Sequence, residues 1–233
     1  MPKAVAIVSG GLDSVTLAYL LRTQGYDLHL LSFDYGQRHK KELEFAKLCA
    51  QRLDAQFHVV DLSDLGKLLK GSALTDDIPV PDGHYAAPTM AVTVVPNRNA
   101  IMLSIAYGIA VSENVEVVAF GAHGGDHYIY PDCRPGFIAA FDAMQRQATE
   151  GFGHEKLRLE TPFMHMEKHD IVKVGKDLKV PYADTWSCYK GGEKHCGQCG
   201  TCYERREAFE LAGVSDPTVY EIKVSTASSS ATL

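Results

Sequence analysis

A short stretch near the amino terminus has the composition of a phosphate-binding loop. Residues Ser9–Ser14 read Ser-Gly-Gly-Leu-Asp-Ser and stand between an apolar run and a helical pattern. Glycines let the backbone turn tightly and approach an anion, toward which the following helix points its free N–H groups. Asp13 would repel phosphate unless Mg²⁺ lies between them, or else it caps the helix. The stretch therefore predicts a site for the phosphates of a nucleotide.

A cluster of cysteines near the carboxyl terminus has the spacing of a metal site. Cys188, Cys196, Cys199 and Cys202 read Cys-x7-Cys-x2-Cys-x2-Cys, and they are four of the six cysteines in the chain. Four thiolates around Zn²⁺ leave no position for water, so a zinc ion here would be structural. The spacing also resembles that of ferredoxins, which makes an iron–sulfur cluster the alternative. We predict zinc rather than iron.

The composition is that of a soluble globular protein, and we expect it to be cytoplasmic. The 233 residues are 45% hydrophobic and carry 23 Lys and Arg against 29 Asp and Glu, a net charge of −6. Binding to a nucleic-acid backbone needs clustered positive charge, so this balance disfavours a protein with that main task. No apolar run is long enough to cross a membrane, and the apolar stretch at the amino terminus is too short for a signal peptide.

Strands and helices must position these groups, and their patterns alternate along the chain. Strands are predicted at residues 4–8, 28–33, 57–60, 115–120 and around 157–161, and helices at 13–21, 43–53, 100–111, near 137–148 and 168–178. Apolar, β-branched strands that alternate with helices indicate an α/β fold, a parallel twisted sheet with helices on both faces. The helix at 100–111 is apolar nearly all round, which predicts an interior position.

One segment breaks this alternation. Residues 71–96 contain four prolines and few periodic apolar positions. A long irregular loop inside a domain is typical of a lid, and we expect it to cover the site. We predict one α/β domain over residues 1–221, which includes a small zinc-binding segment at 186–203. Residues 222–233 are predicted to form a flexible tail.

The phosphate loop resembles that of the PP-loop ATP pyrophosphatase superfamily. It has neither the ending of a Walker loop nor the glycine pattern of a dinucleotide site. Further strings narrow the resemblance to the 7-cyano-7-deazaguanine synthase family, across nearly the whole chain. These strings are Phe-Asp-Tyr-Gly-Gln-Arg-His at 33–39, Val-Pro-Asn-Arg-Asn at 95–99, Gly-Ala-His at 121–123, Tyr-Pro-Asp-Cys-Arg-Pro at 130–135 and Thr-Trp-Ser-Cys-Tyr at 185–189.

The resemblance implies an ATP-dependent C–N ligase, a nitrile synthase of queuosine biosynthesis. Members of the family convert 7-carboxy-7-deazaguanine and ammonia to 7-cyano-7-deazaguanine through an adenylated acid and an adenylated amide. The resemblance further implies ATP, Mg²⁺ and Zn²⁺, free ammonia, no direct nucleic acid or membrane partner, and a homodimer. A tRNA thiolase of the same superfamily or another adenylating ligase is the alternative. Superfamily chemistry favours release of AMP and pyrophosphate over ADP and phosphate, a choice that stays open.

The resemblance also implies roles for individual residues. ATP is assigned to Ser9, Gly10, Gly11, Leu12, Asp13, Ser14, Phe33 and Tyr35. Catalytic roles fall to Asp13 and to two cations that would counter phosphate or carboxylate charge, Arg98 and Lys168. A carboxylate accepts the adjacent N–H and amino groups of a deazaguanine in a fork. The residues assigned to the substrate are Asp126 or Asp132 for this fork, Tyr130 for stacking and Arg134 for the substrate carboxylate. The alternatives are surface ion pairs for the cations and turn roles for the last four.

Overall fold

Five short strands form one parallel sheet at the centre of the molecule. The structure is a computed structural model, which describes residues 1–222. The strands are β1 (Lys3–Ile7), β2 (Asp27–Asp34), β3 (Gln56–Asp61), β4 (Val117–Ala119) and β5 (Arg158–Glu160). All neighbours pair in parallel, in the order β3-β2-β1-β4-β5. The central strand β1 has helices on both faces, which explains its unbroken apolar sequence. The predicted α/β fold is confirmed.

The helices cover both faces of this sheet. Within residues 1–222 they are α1 (Leu12–Thr23), α2 (Glu42–Arg52), α3 (Ser63–Gly66), α4 (Arg98–Ser112), α5 (Pro135–Ala148), α6 (Lys168–Asp177) and α7 (Gly200–Ala212). Helices α1, α2, α6 and α7 contribute to one core with Ala4 and Ala6 of β1. Helices α4 and α5 pack on the opposite face, against Val5 and Ile7. Successive residues of β1 therefore enter different cores, as the alternation of a strand requires.

Two helices were absent from the sequence prediction, and one predicted helix is less buried than expected. Helices α3 and α7 were not predicted, because α3 is a single turn and α7 starts inside the glycine-rich cysteine cluster. Helix α4 was expected in the interior, but Ser104 and Gly108 are exposed whereas Leu103 and Ala106 are fully buried. The prediction was wrong because the outward face also carries small and apolar residues, so composition alone does not distinguish the two faces.

Segment 71–96 is an ordered part of the fold. It contains a short 3₁₀ helix at Pro88–Thr93, and Leu74 and Met90 are buried. Asp82 forms an antiparallel bridge with Cys199, which attaches the segment to the cysteine cluster. The segment is therefore more ordered than an irregular loop, because these contacts anchor it at several points along its length, and its expected role as a lid stays a prediction.

The predicted tail lies beyond the described residues except for Ile222. Near the end of the described chain, Tyr220 bridges to His195 and so returns the backbone to the cysteine cluster. No helix among residues 1–222 combines the length and the apolar character that crossing a bilayer requires. The division into one domain and a tail stays a prediction.

Candidate active site

A cleft lies at the carboxyl ends of strands β1, β2 and β4. The order of the strands reverses between β1 and β4, and open parallel sheets bind ligands at such a switch point. The loops that leave these strands meet there because the strands run in the same direction. Most of the predicted site residues line the cleft: Ser9, Gly11, Leu12, Asp13, Ser14, Phe33, Tyr35, Arg98, Asp126, Tyr130 and Lys168.

The phosphate loop forms the floor of the cleft. Gly10 has a φ of +89°, and a Cβ there would lie 2.2 Å from the carbonyl oxygen of Glu42, so only glycine fits. No side chain caps the amino terminus of α1, which leaves its first N–H groups available. The hydroxyls of Ser9 and Ser14 lie 3.2 Å apart beside these groups. The loop thus offers N–H and O–H donors together, as a phosphate site requires.

A charged cluster stands at one side of this loop. Lys168 Nζ lies 3.2 Å from Asp13 Oδ2 and 2.5 Å from Glu204 Oε2. Burial lowers the pKa of Lys168, but the charges of Asp13 and Glu204 raise it more, so the net pKa is well above its usual value. Asp13 Oδ1 is buried and has no hydrogen-bond partner among residues 1–222. The cluster therefore presents a fixed ammonium and an unused carboxylate oxygen beside the place where phosphates would bind.

Arg98 places a second positive charge in the cleft. Its side chain donates a hydrogen bond to the Tyr35 hydroxyl at 3.2 Å, and its guanidinium lies over the rings of Tyr35 and Tyr130. Within the described part of the chain it forms no ion pair with a carboxylate. Burial raises the pKa of Tyr35 to about 12, so this hydroxyl stays neutral. A half-buried guanidinium without a carboxylate partner is costly, and an anionic ligand would compensate it.

The residues assigned to the substrate differ in where the structure places them. Asp126 and Tyr130 line the cleft, although Asp126 already accepts hydrogen bonds from the Tyr85 hydroxyl and the backbone N–H of His123. Asp132 is not among the lining residues, and both its oxygens accept hydrogen bonds from Asn99.

Arg134 is exposed and donates to the carbonyl of His127, away from the cleft. Gly10 supports the loop from behind rather than lining the cleft. The roles of these residues in binding stay predictions.

Several lining residues received no role from the sequence. They are His39, Glu42, Tyr85, Trp186, Ser187 and Tyr189. His39 belongs to the string at 33–39 and Tyr189 to the string at 185–189, so both stood in motifs whose other members were assigned. Glu204, which binds Lys168, lies on helix α7 and had no signal in the sequence pattern.

The four clustered cysteines converge as the spacing predicted. Their sulfur atoms all lie within 4.8 Å of one another, and all four side chains are buried. Backbone N–H groups of Cys196 and Cys199 donate to Cys188 Sγ and Cys196 Sγ, at 3.4 and 3.3 Å. Gly197, with a φ of +79°, has the carbonyl of Ile222 2.7 Å from where its Cβ would lie. Four convergent sulfurs with N–H donors fit a tetrahedral metal ion.

Comparison with known proteins assigns the family. The profile of the family described as "Queuosine biosynthesis protein QueC" matches residues 3–213. The chain belongs to the QueC family. The resemblance drawn from the phosphate loop and the further strings is thereby confirmed.

Relatives of this QueC family member are similar over almost their whole length. A 7-cyano-7-deazaguanine synthase of Brucella anthropi is 59% identical over 219 residues, which are 94% of this chain and 94% of the relative. A 7-cyano-7-deazaguanine synthase of a Ruegeria species is 60% identical over 219 residues, 94% of this chain and 93% of the relative.

Solved structures share the fold of this QueC family member at low identity. NMN synthetase from Francisella tularensis has a TM-score of 0.52 and 15% identity, and the match covers 91% of this chain and 78% of that one. A 4-thiouridine synthetase in complex with RNA and with bound ATP has a TM-score of 0.50 and 15% identity, over 91% and 50% of the two chains. Likeness at this level shows the fold alone.

Proposed function

We propose that this QueC family member converts 7-carboxy-7-deazaguanine and ammonia to 7-cyano-7-deazaguanine at the expense of ATP. The observation that carries the proposal is that the phosphate loop and the Arg98 guanidinium line the same cleft. A site that binds a polyphosphate and a second anion side by side suits the transfer of AMP to a carboxylic acid. Relatives with 59% and 60% identity bear the name of this activity.

Both oxygens of the substrate carboxylate must leave, and neither leaves as free oxide. A carboxylate oxygen attacks the α-phosphorus of ATP, and pyrophosphate leaves. Ammonia then forms a C–N bond, AMP departs with the first oxygen, and the nitrogen loses one proton to give an amide. The amide oxygen attacks the α-phosphorus of a second ATP, and a second pyrophosphate leaves. Loss of AMP, which carries away the second oxygen, and of the two remaining nitrogen protons then gives the nitrile. One nucleotide site used twice is sufficient.

The residues of the cleft supply position and charge for these steps. Ser9, Ser14 and the first N–H groups of helix α1 would bind the pyrophosphate portion of ATP. Lys168 would stabilise charge on the leaving pyrophosphate, and Arg98 would hold the substrate carboxylate. Phe33, near the end of β2, and Tyr35, directly after it, line the cleft and would contact the adenine of ATP. Segment 71–96, whose Tyr85 lines the cleft, would exclude water from the acyl adenylate.

The donor sets fit the two metal ions that the family implies. Asp13, with its unpartnered Oδ1, would hold Mg²⁺ against the phosphates, where the ion neutralises their charge. Cys188, Cys196, Cys199 and Cys202 would hold a structural Zn²⁺, since four sulfurs fill a tetrahedral shell. The free ammonia source, the homodimer, the cytoplasmic location and the absence of a nucleic acid partner stay predictions.

The test is a defined reaction followed by mass spectrometry. The full chain is incubated with ATP, Mg²⁺, an ammonium salt and 7-carboxy-7-deazaguanine. We expect the amide and then the nitrile, with AMP and pyrophosphate as the nucleotide products and no product without ammonium. Absence of both amide and nitrile from folded, zinc-loaded protein would overturn the proposal. Retention of tRNA at moderate salt would instead favour the thiolase alternative.

A further inference from the structure

Three polar side chains lie at one part of the cleft that the proposed mechanism leaves unused, and two of them, His39 and Glu42, line its wall. Gln37, His39 and Glu42 follow strand β2, and each is buried. The Gln37 side chain is fixed, because its oxygen accepts from the backbone N–H of Tyr35 at 2.9 Å and its nitrogen donates to the carbonyl of Phe33 at 2.9 Å. That nitrogen also donates to Glu42 Oε1 at 3.1 Å. Gln37 thereby fixes the position of the Glu42 carboxylate.

His39 contributes an unused acceptor atom. Burial lowers the pKa of His39 to about 3, with a smaller contribution from Arg98, so the imidazole is neutral. Its Nε2 lies 3.4 Å from Glu42 Oε1, and a proton on Nε2 is the arrangement that a carboxylate favours. The lone pair then resides on Nδ1, which is buried and has no partner among residues 1–222. An unsatisfied buried acceptor is costly unless a ligand donates to it.

Glu42 contributes a second acceptor. Gln37 and His39 both approach Oε1, which leaves Oε2 without a protein hydrogen bond in the described chain. Burial raises the pKa of Glu42 to about 8, against smaller opposite effects from Gln37 and Arg98. N–H donors from a ligand would favour the ionised carboxylate. Both His39 and Glu42 line the cleft.

Two acceptors on side chains that contact each other in the cleft wall would select a particular kind of ring edge. The edge of guanine and its deaza analogues presents two donors, the ring N1–H and the 2-amino group. The corresponding edge of adenine presents one donor and one acceptor, and its acceptor would face a lone pair of the protein. Tyr189, whose ring centroid lies 5.0 Å from that of His39, offers a surface for a flat heterocycle.

We propose that His39 and Glu42 bind the N1–H and 2-amino edge of the deazaguanine and so determine which base the enzyme accepts. The inference rests on the proposed function and names the residues that recognise its substrate. It replaces Asp126 and Asp132 in this role, because their oxygens already accept hydrogen bonds within the protein. On the guanine-type ring the 6-oxygen and the carboxylate come next to N1–H, and Arg98, which lines the same cleft as His39 and Glu42, would receive them.

The test compares two substrates across matched variants. Nitrile formation is measured for 7-carboxy-7-deazaguanine and for the analogue without the 2-amino group, with the natural chain, Glu42→Gln, Glu42→Asp and Glu44→Gln. Glu44 lies in the same helical turn but is exposed, so its variant is the control. The natural chain and the control are expected to favour the amino-bearing substrate in kcat/KM by roughly 100-fold or more. Glu42→Gln is expected to reduce that preference to about threefold, and Glu42→Asp to retain part of it.

The outcomes separate the two proposals. If the natural chain makes no nitrile, the proposed function fails. If it makes nitrile and Glu42→Gln lowers kcat while the preference for the amino group stays, the inference about base recognition fails and the function stands. Because Glu42→Gln can affect folding, zinc content and ATP affinity are measured on the same sample. If only Glu42→Asp folds, an unchanged preference in that variant also overturns the inference.

Discussion

The backbone N–H of Trp186 donates a hydrogen bond to the carbonyl of Gly10 at 2.9 Å. Trp186 stands two residues before Cys188, and its indole N–H donates to the Cys188 carbonyl at 2.8 Å. The ring also stacks on Phe45 of helix α2, with centroids 5.7 Å apart. The cysteine cluster and the phosphate loop are therefore joined through one residue.

This connection predicts that loss of the metal weakens ATP binding. Cys196→Ser is expected to remove bound zinc and to lower the affinity for ATP by about tenfold, since groups that support a binding site commonly contribute that much. Metal content and a nucleotide titration measure the two effects. Cys49→Ala replaces a buried cysteine of helix α2 that lies outside the cluster. It is the control and should retain zinc. Unchanged ATP affinity in zinc-free protein would show that the cluster does not support the loop.

Lys168 is predicted to stabilise both the fold and the reaction. Lys168→Met leaves Asp13 and Glu204 without their shared cation, and breaking a buried pair in this way costs about 3–5 kcal/mol in the free energy of unfolding. We also expect nitrile formation to fall by roughly 100-fold. Urea unfolding and single-turnover rates measure these effects. Lys173→Met, on the exposed side of the same helix, should change the free energy of unfolding by no more than about 0.5 kcal/mol.

Arg98 is predicted to bind the substrate carboxylate rather than the phosphates of ATP. Arg98→Lys keeps the charge but loses the planar fork, so the KM for the acid should rise about 10- to 100-fold while the KM for ATP changes little. Steady-state kinetics with each substrate varied in turn provide the measurement. Arg146→Lys, an exposed pair with Asp142, is the matched control. A rise confined to the KM for ATP would assign Arg98 to the phosphates.

The raised pKa of Glu42 gives a pH dependence whose sign can be stated. The pKa is about 8 in the folded chain, above the ordinary value of 4.5, so the folded state favours the protonated carboxyl. This contribution to stability is complete below pH 4.5 and is lost as the pH rises through 8. Glutamine resembles the protonated form, so Glu42→Gln should raise the Tm at pH 8.5 by about 5 °C and much less at pH 5.5.

Calorimetry at the two pH values checks this expectation. The pKa of His39 is lowered to about 3, so its contribution to the stability of the folded chain is lost in acid. His39 therefore does not account for a change in Tm at alkaline pH. Arg98 stays charged throughout, and Gln37 does not titrate. A Tm difference between the natural chain and Glu42→Gln that is the same at both pH values would contradict the prediction.

Binding of the deazaguanine should show the opposite trend with pH. The ligand's donors require the ionised carboxylate, so the affinity should rise with pH and level off above about pH 8. Isothermal titration without ammonium isolates this effect from the ionisation of the nucleophile. Glu42→Gln should bind weakly at all pH values. A stabilising substitution that abolishes recognition is the trade-off typical of binding sites.

Much of this architecture is readable from the sequence because local signals and tertiary structure agree. Strand β1, the Ser-Gly-Gly bend and the start of helix α1 follow one another within a few residues. Parallel pairing places this bend beside the carboxyl ends of the neighbouring strands. The spacing of the four cysteines likewise predicts, without further information, that their sulfur atoms meet at one metal site. Local sequence is sufficient where the residues that act together are close along the chain.

The remaining contacts depend on distant residues, and the sequence pattern does not report them. Glu204 meets Lys168 across 36 positions, and it does so only because helices α6 and α7 pack side by side. Asp132 stands in a distinctive string, yet its carboxylate holds the start of helix α4 through Asn99. A carboxylate that binds a ligand and one that caps a helix look the same in the sequence, and only their hydrogen-bond partners in the structure distinguish them.

Helix α7 carries Cys202 and Glu204 within its first five residues. The sulfur faces the cysteine cluster, and the carboxylate two residues later contacts the ammonium beside the phosphate loop. A rotation of this helix about its axis would move both groups together. A metal ion bound by the four cysteines would therefore also fix the position of the Glu204 carboxylate beside Lys168 in the cleft.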